Sequence, residues 1–112
     1  MTIKEIAAMV AGFNLPYAYH HFDEEQLNGL KPPYVRWYFN GIDDLYADNI
    51  NFQRVSELRI ELYTDFKDFE REEVIEGILA ENGWAYEKID SYLDSERLYV
   101  TAYAGDIIIE EE

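Results

Sequence analysis

From Val55 to Tyr63 the chain alternates with period two, Leu58, Ile60 and Leu62 falling between Glu57, Arg59, Glu61 and Tyr63. Successive side chains of a β-strand point to opposite faces, so the pattern describes a strand with one apolar and one wet face. A helix has no use for it, because its apolar positions would spread round the whole cylinder. A sheet with a dry face needs something laid over that face, and the remaining sequence must supply the cover.

Two segments qualify. Thr2-Ile3-Lys4-Glu5 has capping-box spacing, and Ile3, Ile6, Ala7 and Val10 then share a helical face before Gly12, which predicts a helix over residues 2 to 11. Asp68 to Asn82 predicts a second helix, with Phe69, Val74, Ile75, Ile78 and Leu79 near one side. Its acids cluster in the first two turns, where the helix dipole favours them, and Asn82-Gly83 supplies the stop.

The other apolar runs read as strands. After the break at Asn14-Leu15-Pro16, Tyr17 to Phe22 has strand residue types, and the polar, Gly-containing segment Asp23 to Lys31 is expected as a loop. Pro32-Pro33 excludes helix and opens Tyr34-Val35-Arg36-Trp37-Tyr38-Phe39, aromatic or apolar on both faces and therefore expected as a central strand. Asn40-Gly41-Ile42-Asp43-Asp44 is turn material, and the stretch to Asn51 is expected as an extended connection between two antiparallel strands. Trp84 to Leu93 and Arg97 to Ala104, joined at Asp94-Ser95-Glu96, predict a last hairpin. The expected fold is α+β, one domain over residues 1 to 112: an antiparallel or mixed β-sheet of four to five strands with two helices packed on one face. A dinucleotide-binding arrangement fails for want of alternating βαβ units and a Gly-rich phosphate turn.

Charge and composition narrow the function classes. Nine bases against 24 acids give a formal charge of −15, spread along the chain, which disfavours binding to phosphate backbones or anionic lipid. With no cysteine there is neither a disulfide nor a thiolate metal site. The first residues lack the basic then apolar run of a signal peptide and no segment approaches membrane-spanning length, so neither export by that route nor membrane insertion is expected.

Catalytic constellations are scarce. His20-His21 beside Asp23, Glu24 and Glu25 contains the usual ligands of zinc and iron, but strand neighbours point to opposite faces, so the two imidazoles are expected to diverge. Asp43, Asp44, Asp48 and Asn49 lack the spacing and glycine of a helix-loop-helix calcium site. Glu70, Glu72, Glu73 and Glu76, with Lys67 and Arg71, read as a charged helix face rather than paired acid-base carboxylates. Ser56, Ser91 and Ser95 stand in no nucleophile motif, so no catalytic residue, metal site or cofactor is expected.

Apolar surface is left over. Two short helices do not hide both Val35, Trp37 and Phe39 and the opposite set with Tyr34, Tyr38, Tyr63, Tyr99 and Tyr103, and Ile107-Ile108-Ile109 puts apolar groups on both faces of any strand. Tyrosines with an arginine are what protein interfaces favour. The expected contact residues are therefore Tyr34, Arg36, Tyr38, Leu45, Tyr46, Ile50, Ile107 and Ile109, on the hairpin segment Asn40 to Asn51, the strand before it and the Ile-rich end.

Leu15 to Phe22, the Pro32-Pro33-Tyr34-Val35 opening, Glu57 to Asp65 and Ser95 to Tyr99, taken in order, resemble a family of small proteins encoded in the head-tail gene region of phages and prophages of Gram-positive bacteria. The resemblance runs through nearly the whole chain, and Tyr63-Thr64-Asp65 before an acidic helix is its most distinctive part. It implies the tail terminator or tail-completion class, also labelled minor capsid protein. Such α+β subunits form a ring, often a hexamer, that caps the tail tube and docks the head. The implied partners are copies of the chain itself, the tail tube protein and head-completion or connector proteins, with DNA passing through without specific binding and no membrane. The implied location is the host cytoplasm during assembly and then the virion. A head-completion or neck adaptor is the nearest alternative. An acidic DNA mimic that inhibits a basic host protein comes from another class, and a metal-dependent hydrolase using His20 or His21 is third.

Overall fold

The computed structural model describes the backbone of residues 1–47 and 51–110, and the side chains of residues 1–40 and 55–110. Helix α1 (Ile3–Ala11) is followed by strand β1 (Tyr17–Tyr19), a single helical turn α2 (Glu24–Leu27), and the strands β2 (Tyr34–Ala47) and β3 (Asn51–Thr64). Helix α3 (Phe69–Glu81) and the hairpin β4 (Glu87–Leu93) and β5 (Leu98–Ile109) complete the chain. The five strands form one mixed sheet in the order β1-β2-β3-β5-β4, with only the β1–β2 pair parallel. This is the α+β class that the alternation of β3 and the two amphipathic segments require.

Register decides which side chains meet. Val35 faces Leu62, Trp37 faces Ile60, Phe39 faces Leu58, and Ile60 in turn faces Tyr103 across β5. These residues line one face, and Ile6, Met9, Val10 and Phe13 from α1 and its end, with Ile75 and Leu79 from α3, close over them as a single core. The capping box of α1 is present in both halves: Glu5 N–H donates to Thr2 Oγ1 at 3.1 Å and Thr2 N–H donates to Glu5 Oε1 at 2.9 Å. Asp68 caps α3 by accepting from Arg71 N–H, and Gly83, at φ +70°, takes the left-handed turn that ends it.

Several expectations need correction. Asn40-Gly41 is a β-bulge, not a turn: between Phe39↔Leu58 and Ile42↔Ser56 there is one more residue on β2 than on β3, and the ladder then continues to Ala47↔Asn51. The bulge resets the alternation, which is why the segment shows no period across it. β2 is an interior strand, as expected, paired with β1 on one side and β3 on the other, and β3 holds the middle place. Within the polar segment after His21, Asp23 and Gln26 make a reciprocal cap that starts α2.

Two apolar assignments also move. Ile107 and Ile109 are 7% and 5% exposed and belong to the core, because β5 keeps its alternation to the end; Ile108 is the isoleucine that faces outward. In α3 the inward positions are Glu72, Ile75 and Leu79, spaced i, i+3, i+7, and Phe69 and Val74 stand in solvent at 66% and 58% exposure. Phe69 sits in the first turn, and Val74 is one step round from Ile75.

Gly105 sits where the chain has no room for a side chain. It faces Leu58 on the core side, and Trp84 to Tyr86 crosses directly above it, so an added Cβ would lie 2.3 Å from the Ala85 carbonyl oxygen. Trp84 Nε1–H donates to the Asp106 carbonyl at 3.3 Å and pins that crossing. Replacing Gly105 by Ala is expected to cost about 3 kcal/mol in urea-unfolding free energy, since backbone rather than a flexible side chain must give way.

Candidate interaction surface

The second face of the sheet is covered by neither α1 nor α3. On it stand Tyr34, Arg36 and Tyr38 from β2, opposite Tyr63, Glu61 and Arg59 from β3. Beyond them in register lie Val100, Ala102 and Ala104 of β5. Three of the expected contact residues, Tyr34, Arg36 and Tyr38, are thus brought together, each half-buried. Leu45 and Tyr46 occupy β2 positions whose side chains lie outside the described residues, and Ile50 lies outside them altogether.

Glu61 organises this face. Its buried carboxylate accepts from Arg36 Nε at 2.9 Å, Arg59 Nε at 2.9 Å and Tyr63 OH at 2.7 Å, and Arg36 Nη2 and the Tyr38 hydroxyl complete the shell. Burial alone pushes the carboxyl's pKa up, but hydrogen bonds from Tyr63, Arg36 and Arg59 outweigh it and leave it below the ordinary glutamate value. Burial and the same carboxylate push the Tyr63 hydroxyl in the opposite direction, so it stays a donor. Tyr34 stacks on Tyr63 with ring centres 5.0 Å apart, Phe22 meets Tyr34 edge-on at 5.5 Å, and the Arg36 guanidinium lies 4.9 Å from the Tyr38 ring centre. The result is a rigid aromatic and guanidinium surface whose polar atoms are satisfied from within. Arg59 and Glu61 were visible in the sequence only as the wet positions of β3, with nothing to mark them as a cluster.

Of the acids of α3, Glu70 and Glu73 are exposed as their spacing suggests, but Glu72 and Glu76 are drawn into an ion array. Glu72 is 2% exposed and points at the sheet, where Lys67 Nζ meets its Oε2 at 2.7 Å and Lys88 Nζ its Oε1 at 2.8 Å. The Lys88 approach is off the line of a hydrogen bond, so that oxygen is balanced by charge rather than by a directed donor. Lys67 also reaches Asp90, Lys88 also reaches Glu76, and Thr101 and Tyr103 donate to Asp90 and Glu76. Three acids (Glu72, Glu76, Asp90) against two bases (Lys67, Lys88) leave this array one charge negative. It fastens α3 to β4 and β5, and its buried charges require both lysines to stay in place.

A groove of about 630 Å³ opens at the start of α3, walled by Phe13, Phe66, Phe69, Val74 and Ile75 together with the charged Lys67, Asp68, Glu70 and Arg71. Phe66 and Phe69 are 60% and 66% exposed, and the Lys67 ammonium lies 5.5 Å from the Phe69 ring centre.

Among the described residues no three His, Asp or Glu side chains converge as a metal site. The two histidines do converge, contrary to the strand geometry expected for them. β1 ends at Tyr19, His20 turns through φ +69°, and its Nδ1 comes within 3.1 Å of the Nδ1 of His21.

Glu61 gives the surface a pH signature. Its folded pKa lies below its unfolded one, so its contribution is complete above about pH 5 and is lost as the pH falls through the folded value. Glu61→Gln is expected to cost about 2 kcal/mol near neutrality. Unfolding curves measured across the acid limb should converge with wild type as the pH falls through the lowered folded value, and a pH-independent gap would contradict the assignment. No protein-family model matches this chain, and no curated protein is found similar to it.

Proposed function

We propose that this chain is a structural subunit of a phage head-tail joint, a tail terminator whose copies form a ring that caps the tail tube and docks the head. The observation that carries the reading is the uncovered sheet face, where Tyr34, Arg36 and Tyr38 stand with Arg59 and Tyr63 around the internally neutralised Glu61. Tyrosine and arginine held rigid and half-buried are the composition that protein interfaces favour, because they present large contact area at low entropic cost. The sequence resemblance supplies the phage context, and its joint order of segments covers nearly the whole chain.

Charge supports the same reading. A hexamer would carry a formal charge of about −90 (6 × −15), a field that keeps a DNA strand from adhering to the wall of a channel. The role is one of surface complementarity, with the tail tube end on one side of the ring and a head-completion protein on the other.

Electron microscopy of particles assembled without this protein tests the proposal. Overlong tails, or tails without heads, are the expected result, and normal infectious virions would remove the role. A Tyr34→Ser, Tyr38→Ser double variant should fold, with unfolding free energy lowered by about 1–2 kcal/mol for the lost ring contacts, yet fail to form rings on tube ends. Rings of normal appearance would discard this face as the contact.

A further inference from the structure

His20 and His21 form a feature the assembly role does not use. The His20 amide donates to the Trp37 carbonyl at 2.7 Å, and the His21 amide donates back to the Tyr19 carbonyl at 2.8 Å. The second bond spans only two residues and closes a γ-turn with His20 at its centre, at a positive φ that non-glycine residues adopt only when their surroundings impose it. Arg36 Nη1 holds the His20 carbonyl from the other side at 3.4 Å. The turn abolishes the usual divergence of strand neighbours. It sets the two rings nearly perpendicular, at 88°, with Nδ1 facing Nδ1 at 3.1 Å and both side chains open to solvent.

We propose that this pair is a two-nitrogen site for a divalent transition ion that prefers imidazole, of the class of Zn²⁺, Ni²⁺ or Cu²⁺. Imidazole nitrogens bind such ions at about 2.0–2.1 Å. Two ligands at that distance and 3.1 Å apart subtend about 98° at the metal, between the right angle of tetragonal coordination and the tetrahedral angle. The nitrogens already stand at chelating separation. With no ion bound, one ring donates along the Nδ1···Nδ1 line and the other accepts. On binding, the donor ring moves its proton from Nδ1 to Nε2, and each ring turns off that line to aim its Nδ1 lone pair at the cation.

Asp23 is committed to its cap on Gln26 and Glu24 and Glu25 open the next helical turn, while the Arg36 guanidinium at the His20 carbonyl is a positive charge against which the ion must bind. The remaining coordination positions face water, which makes the ion exchangeable. The benefit of two ligands over one comes from the turn: the second imidazole is delivered at high effective concentration, with its backbone already fixed.

Calorimetric titration of untagged full-length protein with ZnCl₂ and, separately, NiCl₂ tests the proposal, alongside ¹⁵N spectra that report the tautomer of each ring. One ion per chain is expected, with both histidines shifting together to the form protonated at Nε2. His20→Asn, which tolerates the left-handed backbone, and His21→Gln are each expected to weaken binding by about 100-fold. Thermal unfolding without metal should stay near wild type, because both side chains are exposed. Equal affinity in the double variant would place the ion among the carboxylates and overturn the site. So would a shift of one ring alone, or no saturable binding. If a variant fails to fold, the tautomer readout on wild type decides by itself.

Discussion

β3 has a hydrogen-bonded neighbour on each side, and the apolar character of every second residue on it fixes what the other elements can do. Leu58, Ile60 and Leu62 are fully buried, so β2 and β5 must pair in the one register that lays Val35, Trp37 and Tyr103 beside them. A slip of one residue would turn that entire row to the opposite face. The helices follow from the same row, α1 contributing Ile6, Met9 and Val10 and α3 contributing Ile75 and Leu79. Close packing above β5 is tight enough that position 105 accepts only glycine. A row of three aliphatic side chains thus sets the layer order and both helix positions.

The few bases of this acidic chain are used inside it. Among the described residues, Arg36 and Arg59 converge on Glu61, Lys67 and Lys88 on Glu72, Glu76 and Asp90, and Arg71 pairs with Asp68, so these five bases hold internal acids. Buried ionic groups gain little stability over apolar ones of the same shape, but they are directional in a way that Ile75 and Leu79 are not. Only one seating of α3 lets Lys67 and Lys88 both reach Glu72. The expense of desolvating these charges is matched by positional definition of the helix and, on the other face, of the aromatic surface around Glu61. The acids of α2 and the outer side of α3 are left to dominate the exterior field.

How much of this could be read beforehand depended on whether a signal was local. The alternation of β3, the capping box at Thr2 and the Asn82-Gly83 stop are local, and each leads to the element the structure contains. The bulge at Asn40-Gly41 was opaque because a bulge and a turn draw on the same residue types, and only the partner strand distinguishes them. Tyr34, Arg36 and Tyr38 could be placed on one face by period two, whereas Glu61, the acceptor of Arg36 and Tyr38, lies 25 residues from Arg36 in sequence. Ile107 and Ile109 were assigned outward because three successive isoleucines do not reveal which parity faces the core; the pairing of Ser56 with Ile107 settles it. The histidine pair failed for a different reason. The rule that strand neighbours diverge is sound, but β1 stops one residue before it would apply.

A closed ring built from a single kind of subunit by head-to-tail contacts needs two unlike surfaces on each copy, whereas a symmetric dimer needs one that matches itself. This chain carries two unlike surfaces on opposite sides of its sheet. One is the flat aromatic and guanidinium face around Glu61, polar and satisfied from within. The other is the groove in the helical layer, where Phe66 and Phe69 flank a concave wall of Phe13 and Ile75. The position of the groove follows from Glu72: by taking the inward place on α3 it turns Val74 outward and leaves the helix with apolar surface on a second side. The buried ion array and the exposed groove are thus two consequences of one helical orientation.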